Sequence, residues 1–441
     1  MLKSQYYKDN LKLAYPIILS SLGQSIVQFF DTLMVGHLGK ESLAAVAFSA
    51  AITTVALVFG QGIGMSLTPL VGQSFARKET KRISMLLQNA ISLNFFTGLF
   101  IIAVLMMFVS LMPHLGQPTE VIEIATPYFI VTALSLFPAQ IFLAFRHFME
   151  GIGNTKATMV IIISSNVLNI ILNYIFIFGK CGMPAMGAFG AGVSTLISRL
   201  FMPIAYAIFL LCHKHYKKYF KFFSKKNFTF YTHKIIIKLG LPIALQLTLE
   251  CLSFSMVTIM MGWLSTVALA AYQIVLTFIT LTFQIACGIA SSTTILVSHA
   301  FGRKQRKEVS AYSMSGVHLS FISMGIAALC FIFFGGNIAS MFTADTAVIA
   351  QSAALFVVAG AFQLMDGTQA TLLGALRGIN DVAKPMKYSL ISYILIALPI
   401  AYALGFLLGF GPCGILCGEA LGLSVAALFY YTRLRNTIAK I

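Results

Sequence analysis

The chain has 441 residues, of which 58% are hydrophobic and only 10% are charged. A water-soluble domain needs more polar surface than this, so the composition excludes a soluble globular protein and indicates that most of the chain lies in lipid. The formal net charge of +17 has the sign that nucleic-acid binding requires, but the position of the basic residues explains it without such a partner, as shown below.

Twelve apolar segments are long enough to cross a bilayer as helices, because about 20 helical residues span roughly 30 Å of hydrocarbon. In chain order the segments are 12–36, 42–76, 83–112, 124–149, 157–179, 188–212, 235–263, 266–301, 309–334, 346–376, 385–410 and 412–432. The sequence therefore predicts an all-α membrane protein with twelve transmembrane helices.

The basic residues predict the orientation of these helices. All but three of the 30 lysines and arginines lie in alternate loops or at the adjoining helix ends, starting with the N-terminal segment, and the exceptions are Lys40, Lys180 and Arg199. The positive-inside rule then places both termini in the cytoplasm, and no nucleic-acid partner is expected. The N-terminal segment lacks a small-residue cleavage site, so we expect a retained cytosolic lead into the first helix.

The chain contains an internal repeat. A shift of 226 residues aligns 14–84 with 240–310 without a gap, and Gly62 meets Gly288. Each half therefore has six helices, and we expect a pseudo-twofold axis along the membrane normal with a solute path between two six-helix bundles. The predicted organisation is an N-terminal lobe at 1–212, a basic cytoplasmic linker at 213–234 and a C-terminal lobe at 235–441.

Four carboxylates lie within the predicted spans, namely Asp31, Glu250, Asp366 and Glu419. An acidic residue near the bilayer centre costs on the order of 2.5–3.5 kcal/mol, so we expect these groups to face an interior cavity and to bind a cation or a proton. None of them has an acidic counterpart in the other half of the repeat, which argues against a shared packing role. The alternative is that a neighbouring carbonyl or amide holds each one neutral, and for Glu419, near the outer end of its helix, the two interpretations are evenly matched.

A polar stripe lies on the fifth predicted helix. Asn166, Asn169 and Asn173 follow the i, i+3, i+7 spacing of one helix face. Together with Asp31 they form a candidate proton or ion site, and ordinary hydrogen bonding between helices is the alternative. Arg199 either neutralises an acid in this half or extends toward a membrane surface.

No enzymatic motif is present in the sequence. The seven cysteines form no CxxC pair, the eight histidines show no HExxH spacing, and the glycines at 60, 62 and 64 indicate close helix packing. We therefore predict no enzyme activity, no catalytic residues, no cofactor and no dedicated metal site.

Several segments resemble the multidrug and toxic compound extrusion (MATE) transporters. They are PIILSSLGQSIVQFFDTLMVGHLG in the first helix, LAAYQI, AGVSTLISR, and the turns EGIGNTKATM and LRGINDVAKPM. The resemblance covers essentially the whole chain and agrees with the repeat. LTLECLSF and FQLMDGTQ are similar to the NorM-like branch, whereas the DinF-like branch is not expected to have this Glu–Asp pair.

The resemblance implies a MATE/MOP-type fold and roles for individual residues. Glu250 and Asp366 are implied to bind the coupling cation, Na+ or H+, in the second half, and Asp31 is implied to serve the first half. The first-half polar network is implied to include Thr195 together with Asn169 and Asn173.

The remaining candidates line the expected substrate cavity. Gln273 matches a position implicated in substrate or ion contact, and Glu419 is a further cavity candidate. Phe362 stands where relatives can have a tyrosine, so a cation contact there would use the ring face.

The resemblance also implies the function. We expect a secondary active multidrug efflux antiporter, a monomer in the bacterial inner membrane, that exports amphipathic or cationic organic compounds in exchange for Na+ or H+. Its partners would be these small molecules and membrane lipid. The alternative is a flippase for lipid-linked saccharides of the same superfamily fold, which would need a wide cationic cavity, whereas Arg199 is nearly alone within the spans.

Overall fold

The structure, a computed structural model, describes residues 3–114, 116 and 118–440, and this part of the chain is helical without any strand. Twelve of its helices are long and apolar enough to cross a membrane, which confirms the predicted all-α transmembrane fold. In chain order they are α1 (Ser4–Gly36), α2 (Lys40–Ala76), α3 (Thr80–Val109), α4 (Thr119–Gly151), α5 (Thr155–Phe178), α6 (Gly187–Cys212), α7 (Phe230–Leu264), α8 (Thr266–Gly302), α9 (Arg306–Ser340), α10 (Thr346–Gly378), α11 (Ala383–Leu407) and α12 (Gly411–Ile438).

Most helix ends lie within a few residues of the predicted ones, and α1 is the main exception. It begins at Ser4, because the helix continues through a polar first part that hydropathy does not detect. α2 is interrupted at Ser66, and α11 contains two widened π-helical stretches, Leu390–Ala397 and Ala403–Leu407. Such widened turns open the hydrogen-bond ladder of a helix and are common at functional sites.

The chain forms two compact units. The N-unit is Leu19–Ala244, and the C-unit is Leu245–Ile441 together with Met1–Ile18. In the N-unit, α4 packs against α2, α3 and α6; in the C-unit, α10 packs against α8, α9 and α12. The fourth helix of each repeat is therefore the central one, and this is why α10 can hold polar side chains away from lipid.

The first part of α1 is built into the C-unit by polar contacts. Asn10 is fully buried there; its Nδ2 donates to Ser315 Oγ at 2.7 Å, and its Oδ1 accepts from Ser292 Oγ at 3.1 Å. The first part of α7 is likewise built into the N-unit, where Gly240 lies against the backbone of Ile63. These contacts assign each half-helix to a unit.

The division by contacts differs from the predicted lobes of 1–212 and 235–441 at two places, residues 1–18 and 235–244. The predicted linker, 213–234, falls inside the N-unit, with Tyr219 buried there. The difference arises because hydropathy locates helices but not the neighbours on which each half of a long helix packs.

Candidate functional site

In the N-unit, Asp31 lies against the polar stripe of α5. Nδ2 of Asn173 donates to Asp31 Oδ1 and also to Asn169 Oδ1, the latter at 3.2 Å. Both asparagines are buried, and Asn173 Oδ1 and Asn166 Nδ2 have no hydrogen-bond partner among the described atoms. The structure thus brings Asp31, Asn169 and Asn173 together and leaves unused polar atoms on the stripe.

Arg199 lies inside the same unit instead of extending to a surface. Its Nη1 donates to Ser135 Oγ on α4 at 2.8 Å, and its charge acts on both Asp31 and Tyr128. The guanidinium therefore offsets the charge of Asp31. Thr195 is not part of this contact set: its Oγ1 donates to Ala191 O of its own helix at 3.0 Å.

In the C-unit, one amide connects the two carboxylates that the sequence singled out. Nε2 of Gln369 lies 3.4 Å from Glu250 Oε1 on α7 and 3.4 Å from Asp366 Oδ1 on α10. Asp366 is 1% exposed. A single amide group cannot satisfy the acceptor sites of two carboxylates, so this pair retains lone pairs for a proton or a cation.

Glu419 adds a third carboxylate on α12. It is 2% exposed, its Oε2 has no partner among the described atoms, and it is within electrostatic range of Asp366 and Glu250. The compensating charge is Arg377, which donates to Gln246 Oε1 at 3.0 Å and acts on Glu250. Two buried carboxylates and the half-buried Glu250 thus lie near one buried guanidinium, and a buried charge without a partner is costly.

The other two C-unit candidates have different surroundings. Phe362 is fully buried and meets Phe254 edge to face, with 6.2 Å between ring centroids. Gln273 is exposed on α8, and none of the described hydrogen bonds joins its side chain to a carboxylate. The structure therefore places Phe362 one helical turn from Asp366 on α10 and leaves Gln273 exposed on α8.

Sequence reasoning missed two members of the C-unit cluster. Gln369 lies three residues after Asp366, so helical spacing could have placed the two on one face. Arg377 lies one residue beyond the predicted segment 346–376, but it belongs to the last turn of α10 and is 8% exposed. Charge patterns report which membrane side a residue is near, not whether its side chain turns inward.

A buried ion cluster at the end of α4 was also missed. Glu150, 3% exposed, accepts from Arg146 Nε at 2.8 Å and pairs with His147 Nδ1 at 3.1 Å. His147 also contacts Thr68 Oγ1 at 3.1 Å. Because this carboxylate is compensated on both oxygens, we assign it to the structure of the N-unit and not to the candidate site.

Among the described residues, no three His, Cys, Asp or Glu side chains are grouped to hold a metal ion as a structural centre. Each unit has a carboxylate that accepts hydrogen bonds from side-chain amides inside the protein. Such a group suits the reversible uptake of a proton or a weakly held cation.

Comparison with known proteins agrees with these features. The MatE family profile matches residues 16–175 and 242–403. The probable multidrug resistance protein NorM of Bacillus subtilis is 30% identical over 97% of this chain and 95% of its own length, and that of Bradyrhizobium diazoefficiens is 31% identical over 97% and 93%.

Solved structures share the fold at low sequence identity. An outward-facing multidrug resistance MATE family transporter of the MOP superfamily superposes with a TM-score of 0.90 at 19% identity, covering 99% of this chain and 96% of its own. A MOP superfamily transporter from Pyrococcus furiosus, described as having a binding pocket of reverse polarity, gives 0.90 at 19% identity over 98% and 96%. The profile covers both halves of the repeat, and the chain belongs to the MatE family.

Proposed function

We propose that this protein is a secondary active multidrug efflux antiporter that exports amphipathic or cationic organic compounds in exchange for Na+ or H+. The observation that carries the proposal is the acidic cluster of the C-unit, in which Glu250, Asp366 and Glu419 outnumber the guanidinium of Arg377. The names of the NorM relatives support the same function.

The cluster supports exchange for a simple electrostatic reason. Three carboxylates cannot all remain ionised at low cost beside one buried cation. A proton or Na+ taken up at Glu250 and Asp366 removes that cost in one arrangement of the helices, and a cationic substrate does so in another. One elementary charge moving inward across 100 mV supplies about 2.3 kcal/mol, enough for roughly a fiftyfold gradient of a neutral solute.

Asp31 would act separately in the N-unit. Its neighbour Arg199 already offsets its charge, so Asp31, with Asn169 and Asn173, suits a neutral-to-ionised switch of a single proton. We further propose that the protein is a monomer in a bacterial inner membrane with both termini in the cytoplasm.

The test uses proteoliposomes loaded with a fluorescent cationic dye, under Na+ and pH gradients imposed separately. The variants are Asp366→Asn and Glu250→Gln, and the matched control is Glu123→Gln, which neutralises an exposed carboxylate of α4. We expect gradient-driven dye efflux in the wild type and the control and none in the two site variants. Efflux at the wild-type rate in both site variants would remove the ion-site assignment.

The flippase alternative is tested in the same liposomes with a fluorescent lipid-linked saccharide. Recognition of its diphosphate would require buried cations in excess, whereas carboxylates are in excess in the C-unit cluster. Translocation of this substrate without dye efflux would favour the flippase over the antiporter.

A further inference from the structure

At the helix ends that carry the basic residues, equivalent positions of the repeat have different surroundings in the two units. In the N-unit, the chain after α6 returns over α3. Ser84 Oγ donates to Tyr219 O, Gln88 Nε2 donates to Ser224 O at 3.0 Å, and the Tyr219 ring packs edge to face on Phe148 at 5.4 Å. Tyr219 is 2% exposed, so this segment fills the groove between α3, α4 and α6.

In the C-unit the equivalent groove is open. Ser310 on α9 is the repeat partner of Ser84, and it lines a cavity of about 740 Å³ between the start of α9 and the end of α12. A single phosphate group would leave most of such a volume empty, so the cavity suits a larger occupant.

The lining of this cavity has a basic part and an apolar part. Arg306, Lys307 and Arg435 provide three cations, all exposed, and none forms an ion pair within the described chain. The acids near these helix ends are already used, since Glu308 pairs with Arg303 at 2.7 Å and Asp381 with Arg433 at 2.6 Å. The lining contains no acid.

The lining also has an apolar part, beside the hydroxyl groups of Ser310, Ser313 and Tyr431. Met314 lies deeper in α9 than the cations, and Leu434 and Ile438 of α12 lie on either side of Arg435 along the chain. A ligand that matches both parts has an anionic group at the helix ends and a hydrocarbon chain along the span. Guanidinium and ammonium groups bind phosphate oxygens by charge-assisted hydrogen bonds.

We propose that this cavity, lined by Arg306, Lys307, Arg435, Met314, Leu434 and Ile438, is a binding site for an anionic phospholipid, with the phosphodiester held by the three cations and an acyl chain in the groove. The lipid takes the place that the chain's own linker fills in the N-unit. Basic clusters where a helix leaves the bilayer attract anionic lipid of the inner leaflet, and these cations lie on the side that the charge pattern assigns to the cytoplasm.

The proposal is tested by native mass spectrometry of the purified full-length protein in detergent, titrated with phosphatidylglycerol. The triple variant R306Q/K307Q/R435Q removes the cations, and Ser310→Tyr fills the cavity while keeping them. The matched control K221Q/K225Q/K226Q removes three exposed cations of the linker. We expect one retained phosphatidylglycerol on the wild type and the control, and binding weaker by on the order of a hundredfold in the triple variant.

The two cavity variants separate a built site from general attraction. Loss of binding in Ser310→Tyr supports an occupied cavity, whereas unchanged binding there, or an equal loss in the linker control, would overturn it. Phosphatidylcholine should bind much more weakly than phosphatidylglycerol. Equal binding by glycerol phosphate, which has the anion without acyl chains, would identify a free-anion site and contradict the lipid assignment. Elution volume and melting temperature confirm that each variant is folded.

Discussion

Gly288 on α8 lies directly against Ile18 on α1, so that a Cβ at Gly288 would stand 3.2 Å from the backbone nitrogen of Ile18 and 3.3 Å from its Cα. The same contact recurs in the N-unit, where Gly62 lies against the backbone of Ala244, and both pairs are related by the 226-residue shift. Helices approach this closely only where a residue without a side chain permits it. In each unit a glycine of the second helix of that repeat thus lets the first part of a long helix, α1 in the C-unit and α7 in the N-unit, pack closely.

These glycines predict a specific loss of stability. Gly288→Ala and Gly62→Ala should each destabilise the protein by about 1–3 kcal/mol, because the added methyl group overlaps a rigid helix backbone. Gly262→Ala is the control, since the nearest atom to its Cβ position is Leu269 Cδ2 at 3.8 Å, an ordinary contact. Thermal melting in detergent measures the effect, and equal melting temperatures in all three variants would contradict it.

Sequence alone predicted the helices well, because long apolar runs leave few alternatives in lipid. It also singled out Asp31, Glu250, Asp366 and Glu419, since an acid within a span is conspicuous. It could not predict that Gln369 joins two of these acids or that Arg377 turns inward, because helical spacing gives a face but not the neighbour that faces it. For the same reason hydropathy does not show on which unit residues 1–18 pack.

The electrostatic influence of Arg199 on Asp31 predicts coupled effects on stability. Asp31→Asn should lower the melting temperature because the guanidinium of Arg199 loses its nearby negative charge. The double variant Asp31→Asn with Arg199→Gln should recover part of that loss, giving a coupling free energy of about 0.5–3 kcal/mol in a double-mutant cycle. Dye efflux should be absent from both variants, which separates stability from transport. Additive effects on melting would mean that the two charges do not influence each other.

The buried cluster of α4 should matter more than a similar pair at the surface. Glu150→Gln removes the 2.8 Å ion pair with Arg146 inside the protein and should cost about 3 kcal/mol. Glu308→Gln removes a 2.7 Å pair with Arg303 that is partly exposed, and should cost less than about 1 kcal/mol. Denaturation in detergent compares the two. Similar losses would mean that burial does not strengthen this ion cluster.

Glu419 should influence substrates according to their charge. Its carboxylate lies near Asp366 and Glu250, so Glu419→Gln removes one negative charge from the field that a cationic substrate meets. We expect binding of a monocationic dye to weaken on the order of tenfold, because a unit charge several Å away stabilises a bound cation by about that factor at intermediate dielectric. Binding of a neutral dye of similar size should stay unchanged. Ser424→Ala, on the same helix, is the control. An equal loss for both dyes would indicate a packing role.

The filled groove of the N-unit predicts what the linker contributes. Tyr219→Ala removes a buried ring from contact with Phe148 and should destabilise the protein by about 3 kcal/mol. Phe222→Ala, at an aromatic residue of the same segment that is 41% exposed, should change stability by less than about 0.5 kcal/mol.

The vacated groove also predicts an effect of added lipid. Phosphatidylglycerol should restore part of the melting temperature of Tyr219→Ala by occupying the space that the ring leaves. Phosphatidylcholine should restore as much, because the N-unit has Thr80 at the repeat position of Arg306 and therefore has fewer cations to select an anionic lipid. Restoration by neither lipid would mean that the groove closes when the ring is removed.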